Sequence, residues 1–354
     1  MKINSLFKDK AFAFGQEGDT EDDCEFAANL LKRIRPSLKA KEITLWGTSD
    51  YCDIFIITDD KGVIFKLKIS LSDPHDLLRK EVTALRSFSG PSFPILVKQG
   101  GVKIGEEVTY LLTKVPWGES IRNYGRSSVM EGLDLFLDAY WTIPKSRPVR
   151  SLYKNILSDF TEQLIPASYL PEETIKAVQN YTDYNVCEKF LLDLRKQILL
   201  CGENLSPQLN QKCHGNLSMD SVYYYNNGFY FDDLYNVSMG HPYIDFVDLL
   251  LEVGSSPDND IKLWKFFCDK GDFVQDRDLY HAIYEMQLRK KLADLLISYI
   301  REIYLYNSYR YEKILHIADG FSHCYDRFCK IPIFKEKRRF IMKTICEPIF
   351  GVKA

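Results

Sequence analysis

Cys213-His214-Gly215-Asn216-Leu217-Ser218-Met219-Asp220-Ser221 leads into Val222-Tyr223-Tyr224-Tyr225, Asn226-Asn227-Gly228 and Phe229-Tyr230-Phe231, and then into Asp232-Asp233-Leu234. The middle of this stretch reads as two short β runs folded back around an Asn-Gly turn. Antiparallel partners lie roughly 5 Å apart, so folding back at 226 to 228 sets Ser221 opposite Asp232, or within about two residues of it. An irregular loop on one arm and an acidic pair on the other therefore share one end of the hairpin. Carboxylates and loop N–H groups gathered at one edge suit a metal ion and a phosphate.

Upstream of the hairpin the hydrophobic period is that of strands. Ile43 to Leu45, Ile54 to Ile57, an Asp59-Asp60-Lys61-Gly62 turn, Val63 to Ile69, Ile95 to Gln99 and Val108 to Thr113 form a small antiparallel sheet. Asp73 and Pro74 supply an N-cap and a first-turn proline for a helix running to about Phe88. On that helix Leu78, Glu81, Val82 and Leu85 fall at i, i+3, i+4 and i+7, which puts one carboxylate on the apolar, inward face. An inward charge needs a partner. Lys66 and Lys68 share one face of the preceding strand by its period of two, and either can provide it.

Before the sheet, Asp19 to Ser37 is an amphipathic helix, with Phe26, Leu30, Leu31 and Ile34 on one stripe and the solvated Lys32, Arg33 and Arg35 off it. After Val115-Pro116-Trp117-Gly118 helical periodicity dominates, through 148–164, 172–200, 244–253, 277–306 and 333–348. The expected organisation is a helical extension over 1–42, a sheet-and-helix lobe over 43–116 and a helical lobe over 117–354.

A chain of 354 residues suggests two lobes, and 45% hydrophobic residues with 14% aromatics exclude a disordered one. Forty-six basic against 49 acidic residues leave a net charge of −3, so no basic field recommends nucleic acid or an anionic membrane as a partner. Nine cysteines, an odd number without a C-x-x-C pair, suggest reduced buried thiols rather than a disulfide framework or a zinc knuckle. His75, His281, His316 and His323 are dispersed, without metal-ligand spacing. Met1 to Lys8 lacks the apolar segment of a secretory leader, and no stretch approaches the roughly 18 apolar residues of a membrane span. The expectation is a cytoplasmic protein that binds neither nucleic acid nor membrane.

His214-Gly215-Asn216-Leu217 resembles the H-G-D-L catalytic loop of the aminoglycoside phosphotransferase and choline-kinase-like branch of the protein-kinase fold. Phe231-Asp232 resembles that branch's metal-binding I-D segment, and Gly240-His241-Pro242-Tyr243-Ile244-Asp245-Phe246 is similar to its G-x-P-x-x-D-L stretch. The resemblance implies an α+β, bilobal fold, with a small antiparallel-sheet lobe carrying one helix and a larger, mostly helical lobe. It also implies ATP and Mg²⁺ as cofactors, with a lysine for the nucleotide phosphates and Glu81 to hold it. Leu67-Lys68-Ile69 is similar to the family's L-K-V pattern, while Val63-Ile64-Phe65-Lys66 resembles the protein-kinase V-A-I-K run, so both lysines stay in play. If Lys68 serves the phosphates, Lys66 points toward the adenine region, a charge in an apolar slot.

By the same resemblance, Gly47, Thr48 and Ser49 stand in the phosphate-facing loop, and Val115 in the strand-to-linker stretch that hydrogen-bonds adenine through its backbone. Asp232 takes the main metal position, and Ser221 stands where the family has a second, asparagine ligand. Asp220 and Asp233 stand beside them as possible substitutes. His214 braces the catalytic loop, Asp245 anchors it, and Asn216 replaces the catalytic aspartate. An amide has no useful basicity at neutral pH, and proton-transfer catalysis contributes about 10² to 10⁴ in rate. The resemblance thus implies a nucleotide-binding pseudokinase with impaired phosphoryl transfer, or alternatively an active ATP-dependent phosphotransferase acting on a hydroxyl of a small molecule. The further partner is an unidentified small molecule or protein.

Overall fold

Strand β4 (Ile64–Ser70) alternates Phe65, Leu67 and Ile69 with Lys66, Lys68 and Ser70, and both sets are buried. A strand with apolar residues on one face and two ammonium groups on the other requires two different coverings, and the surrounding elements supply them. The computed structural model describes residues 2–3, 20–48, 52–70, 76–88, 90–104, 106–116, 119–121, 132–144, 184–205, 211–253 and 257–306. The chain forms two compact units, one from Met1–Leu152 with Met219–Val237 and the other from Tyr153–Ser218 with Ser238–Ala354.

In the first unit, β1 (Lys2–Ile3), β2 (Ala40–Thr48), β3 (Asp53–Asp59), β4, β5 (Ile95–Ile104) and β6 (Glu106–Lys114) form one sheet in the order β1-β2-β3-β4-β6-β5. Every pairing is antiparallel except that of β1 with β2, a two-residue edge too short to show a period in the sequence. The β3–β4 turn is closed by Asp59, whose Oδ1 accepts the N–H groups of Lys61 (2.9 Å) and Val63 (2.7 Å), with Gly62 in the left-handed region at φ 76°. Helix α1 (Thr20–Ile34) lays Cys24, Ala27, Ala28, Leu30, Leu31 and Ile34 on the sheet face that carries Phe65, Leu67 and Ile69. Phe26, expected on the buried stripe, is only partly buried, because alanines fill the close contact instead. Lys32 and Arg33 are exposed, as a solvated face requires.

Helix α2 (Leu77–Leu85) buries Leu78, Glu81, Val82, Ala84 and Leu85. It stops three residues short of Phe88, whose ring stacks on Phe93 at 4.5 Å. The expected cap Asp73-Pro74 lies outside the described residues.

The hairpin of β9 (Val222–Tyr225) and β10 (Gly228–Phe231) also belongs to this unit, and Tyr223 and Tyr224 pair with the short β7 (Glu119–Ser120). Its loop is Asn226-Asn227 rather than Asn-Gly. Both asparagines take positive φ (46° and 58°), as a type I′ turn demands, and Gly228 already pairs with Tyr225. Helix α3 (Leu133–Tyr140), which is not among the expected helices, packs Phe136 edge-on against Phe229 (5.5 Å) and Phe231 (5.7 Å).

The second unit contains α4 (Tyr184–Leu205), β8 (Gln211–Cys213), β11 (Ser238–Gly240), α5 (Pro242–Val253), α6 (Pro257–Gly271) and α7 (Arg277–Tyr306). β8 and β11 pair antiparallel, Cys213 opposite Ser238, and α7 packs on α4 and α5. The helices expected over 148–164 and 333–348 lie outside the described residues. Among the described residues, Cys24, Cys52, Cys201, Cys213 and Cys268 are free thiols, and no helix is long and apolar enough to cross a membrane.

A buried polar seam joins α5 to α7. Gln287 Nε2 donates to Asp248 Oδ1 (2.6 Å), and Lys291 Nζ to Glu252 Oε1 (2.9 Å). Burial pushes the Asp248 carboxyl up to about 7, against the pull of Lys290 3.9 Å away. A carboxyl raised above its unfolded value contributes stability that is complete below about pH 4 and is lost as pH rises through 7. Asp248→Asn, which keeps an acceptor for Gln287, is therefore expected to exceed the parent protein in unfolding free energy at pH 8 by ~2 kcal/mol, and by almost nothing near pH 4. Urea titrations at the two pH values measure the difference; an equal gap at both means that Asp248 is ionised throughout.

Candidate functional site

The inward face of β4 and the end of the hairpin meet inside the first unit. Lys68 and Glu81 are 2% and 1% exposed. The Lys68 ammonium donates to both carboxylate oxygens of Glu81, at 2.9 and 2.7 Å, and to Asp233 Oδ1 at 2.9 Å. The Tyr235 ring lies 5.8 Å from the same ammonium, within cation–π range. Burial pushes the Glu81 carboxyl upward, with Lys68 opposing the shift.

Two residues back along the strand, the Lys66 ammonium donates to Asp232 Oδ2 and lies 3.6 Å from Asp233 Oδ1. Burial by itself would push the Lys66 ammonium down, but Asp232 and then Asp233 outweigh it and hold the group charged. Two ammonium groups thus face three carboxylates, all anchored to regular elements or to the hairpin end.

The hairpin register fixes which acid meets which lysine. Phe231 pairs with Val222, and the Asp232 N–H continues the ladder to Ser221 O at 2.9 Å. Asp233 then leaves the ladder with φ 55° and ψ 48°, in the left-handed region, and a short 3₁₀ turn (Leu234–Asn236) follows. A non-glycine residue there is strained by about 1–3 kcal/mol, and such residues concentrate at functional sites. The reversal turns the Asp233 carboxylate to Lys68 while Asp232 faces Lys66.

Beside the pair, a half-open slot lined by Trp46, Ile56, Lys66, Val115, Pro116, Tyr223, Tyr230 and Asp232 leaves about 20 Å³ of free volume. Tyr223 and Tyr230 are cross-strand partners with ring centroids 5.8 Å apart. The Val115 side chain is buried there, and its N–H donates to Ile64 O at 3.1 Å.

In the second unit, Asp245 stands in the first turn of α5, fully buried, and its two oxygens accept the N–H groups of His214 (2.6 Å) and Gly215 (2.8 Å). Gly215 has φ 85°, a conformation that favours glycine. The loop therefore turns away from β8 on a carboxylate cradle, with His214 buried and Asn216 exposed. Burial pushes the His241 imidazole down to about 4, so it is neutral at pH 7, and its Nδ1 accepts the Tyr243 N–H at 3.2 Å.

No protein-family model and no curated protein matches this chain. Solved structures do. A thermostable mutant of aminoglycoside phosphotransferase APH(4)-Ia, in its apo form, is similar with a TM-score of 0.56 at 11% identity, over 84% of this chain and 96% of that one. Amicoumacin kinase hAmiN, in complex with AMP-PNP, Ca²⁺ and Ami, gives 0.58 at 12% identity, over 86% and 94%. Aminoglycoside phosphotransferase APH(3'')-Id from Streptomyces rimosus gives 0.52 at 16% identity, over 75% and 98%.

The chain has the aminoglycoside phosphotransferase fold. That fold is protein-kinase-like and α+β, as the sequence motifs imply. On it, Lys68 is the lysine joined to the helical Glu81, and Lys66 extends into the slot beside Val115. Asp232 engages Lys66, and it is Asp233 that stands against the lysine–glutamate pair.

Gly47 and Thr48 are strand residues of β2, opposite Ile54 and Asp53, and Ser49 lies outside the described residues. Ser221 is buried beneath Asp232, with its carbonyl on the ladder. Tyr235 and the Tyr223–Tyr230 pair join the site without belonging to any of the sequence motifs. Their signal is positional: Tyr223 and Tyr230 face each other one step from the hairpin end.

Proposed function

We propose that this protein is a pseudokinase: a kinase-fold binding module that grips a polyphosphate anion and has lost efficient phosphoryl transfer. The carrying observation is the buried Lys68–Glu81 ion pair with Asp233 turned onto it. Structurally similar proteins are solved with AMP-PNP and hygromycin B, and with ADP and streptomycin. The phosphate half of a nucleotide fits the residues present, since Lys68 offers a fixed cation and Glu81 orients it. Asp233, already beside that cation, is the carboxylate we assign to a Mg²⁺ ion accompanying the phosphates, with the Ser221 hydroxyl a weaker oxygen ligand. Asp232 is less suited to the metal, because its side chain is 5% exposed against 32% for that of Asp233. The slot as its described residues line it leaves no room for the base half of ATP: about 20 Å³ holds about one water, against roughly 300 Å³ or more for an organic-ligand pocket.

Asn216 stands at the catalytic-base position, and its amide cannot accept the acceptor hydroxyl's proton. A slow phosphotransferase acting on a hydroxyl of a small molecule is the second reading, favoured by the preassembled Lys68–Glu81–Asp233 cluster. Positioning and electrostatics, not proton transfer, dominate phosphoryl transfer.

One paired measurement separates the two: ATP turnover over a panel of hydroxylated small molecules by the parent protein and by Asn216→Asp, with Lys68→Ala as control. The pseudokinase predicts no turnover above the control for the parent protein, and a gain in Asn216→Asp within the ~10²–10⁴-fold range of general-base assistance. Parent turnover abolished by Lys68→Ala establishes the enzyme instead.

A further inference from the structure

The second lysine is the feature that neither function uses. Lys66 lies on the slot face of β4, level with Ile56 on β3 and Thr113 on β6. It crosses the slot beside Val115, Tyr223 and Tyr230 to reach Asp232. Lys66 is 5% exposed and Asp232 is 3% exposed. Removing two charges from water costs several kcal/mol each, and only close pairing offsets it. Apolar residues of similar volume would fill the same space without that cost, so the pair's effect must be sought in the slot it occupies.

We propose that the Lys66–Asp232 pair is a built-in occupant of the nucleobase slot, so that this protein selects its ligand by the phosphates and hardly at all by the base. Occupancy of the slot presupposes the polyphosphate grip proposed above. Three observations carry it. The free volume is about 20 Å³ although Trp46, Tyr223, Tyr230, Ile56 and Val115 provide the aromatic and apolar walls that suit a planar ring. The strand-to-linker donor next to the slot, the Val115 N–H, is engaged by Ile64 O. The cation filling the slot is tied at its far end to the residue just before Asp233, so a base entering there has to break a buried ion pair. A ligand held at Lys68 and Asp233, such as inorganic tripolyphosphate, leaves the Lys66–Asp232 pair in place.

The test compares ATP, GTP and tripolyphosphate by titration calorimetry with Mg²⁺ present. Three proteins are used: the parent, an opened variant (Lys66→Ala with Asp232→Asn) and a filled control (Lys66→Met with Asp232→Asn). Changing both partners avoids leaving one charge buried and unpaired, and circular dichroism checks that each variant folds. In the parent protein ATP, GTP and tripolyphosphate are expected to bind within about threefold of one another. The opened variant is expected to gain about tenfold or more for ATP, within the range that base stacking contributes, while its tripolyphosphate affinity changes little. The filled control should behave as the parent does.

Parent binding of ATP tenfold or more above tripolyphosphate overturns the proposal, as does equal ATP affinity in the opened and filled variants. If the parent binds none of the three ligands, the polyphosphate grip fails. The slot is then judged on the variants alone: ATP binding by the opened protein and not by the filled one supports the plug, and binding by neither or by both removes it.

Discussion

Lys68→Ala is expected to destabilise the sheet-bearing unit by about 3–5 kcal/mol, the loss found when one member of a buried ion pair is deleted. The Lys68 ammonium donates to both Glu81 oxygens and also serves Asp233. Without it, Glu81, 1% exposed, loses its cation away from water, while Asp233, whose side chain is 32% exposed, keeps only Lys66 at 3.6 Å. Glu81 is already raised by burial, and removing Lys68, which opposes that shift, raises it further. The folded variant then binds a proton that the unfolded chain releases. Stability in the variant is therefore best at low pH and is lost as pH rises through the new Glu81 value.

The deficit relative to the parent protein should accordingly be smaller at pH 5 than at pH 8. Lys68→Met combined with Glu81→Leu removes both charges and keeps the volume, and it is expected to come within about 1–2 kcal/mol of the parent. Urea unfolding of the single and double variants at the two pH values gives the comparison. A single variant as stable as the double would mean that Glu81 finds another partner and that the pair does not organise the site.

That prediction was legible in the sequence because it depends on two local periods. A period of two puts Lys66 and Lys68 on one face of β4, and a period of 3.6 turns Glu81 inward with Leu78, Val82 and Leu85. Burial then demands their meeting, and the structure brings them together. The division of Asp232 and Asp233 between the lysines was not legible. It depends on one backbone torsion, the left-handed φ of Asp233, which reverses the direction its side chain takes after the ladder ends. Aspartate tolerates that conformation better than most residues, but the adjacent Asp232 has the same side chain, so residue type does not say which of the two takes it.

The hairpin loop was misplaced by one residue for a related reason. Asn-Asn and Asn-Gly both satisfy the positive φ of a type I′ turn, and only cross-strand register chooses between them. Helix α3 carries only a weak signal although Leu133, Phe136, Leu137 and Tyr140 stand at i, i+3, i+4 and i+7; it is two turns long, and its partner, the hairpin's aromatic face, is distant in sequence. Filling of the slot was beyond reach as well. Sequence placed Lys66 in an apolar slot, but the volume left around it depends on where Tyr223 and Tyr230 lie.

In the second unit the largest loss is expected from Asp245→Ala. The carboxylate accepts two buried N–H groups, those of His214 and Gly215, in a loop whose left-handed glycine denies them a helical or strand partner. Each buried donor left without an acceptor costs about 1–3 kcal/mol, more where the lost acceptor was charged. Asp245 also lies in the first turn of α5, where a negative charge is favoured by about 0.3–1 kcal/mol. The sum is about 4 kcal/mol.

Asp245→Asn should fall between the parent protein and the alanine variant, because its amide retains one acceptor but turns an N–H₂ toward a backbone donor. A general loss of packing would not discriminate between the two substitutions, since they differ mainly in hydrogen-bonding capacity. Amide hydrogen exchange makes the distinction directly. Protection of the His214 and Gly215 amides is expected to collapse in Asp245→Ala under conditions where the amides of α5 and α7 remain protected. Retained protection at both positions would show that another acceptor holds the loop that presents Asn216.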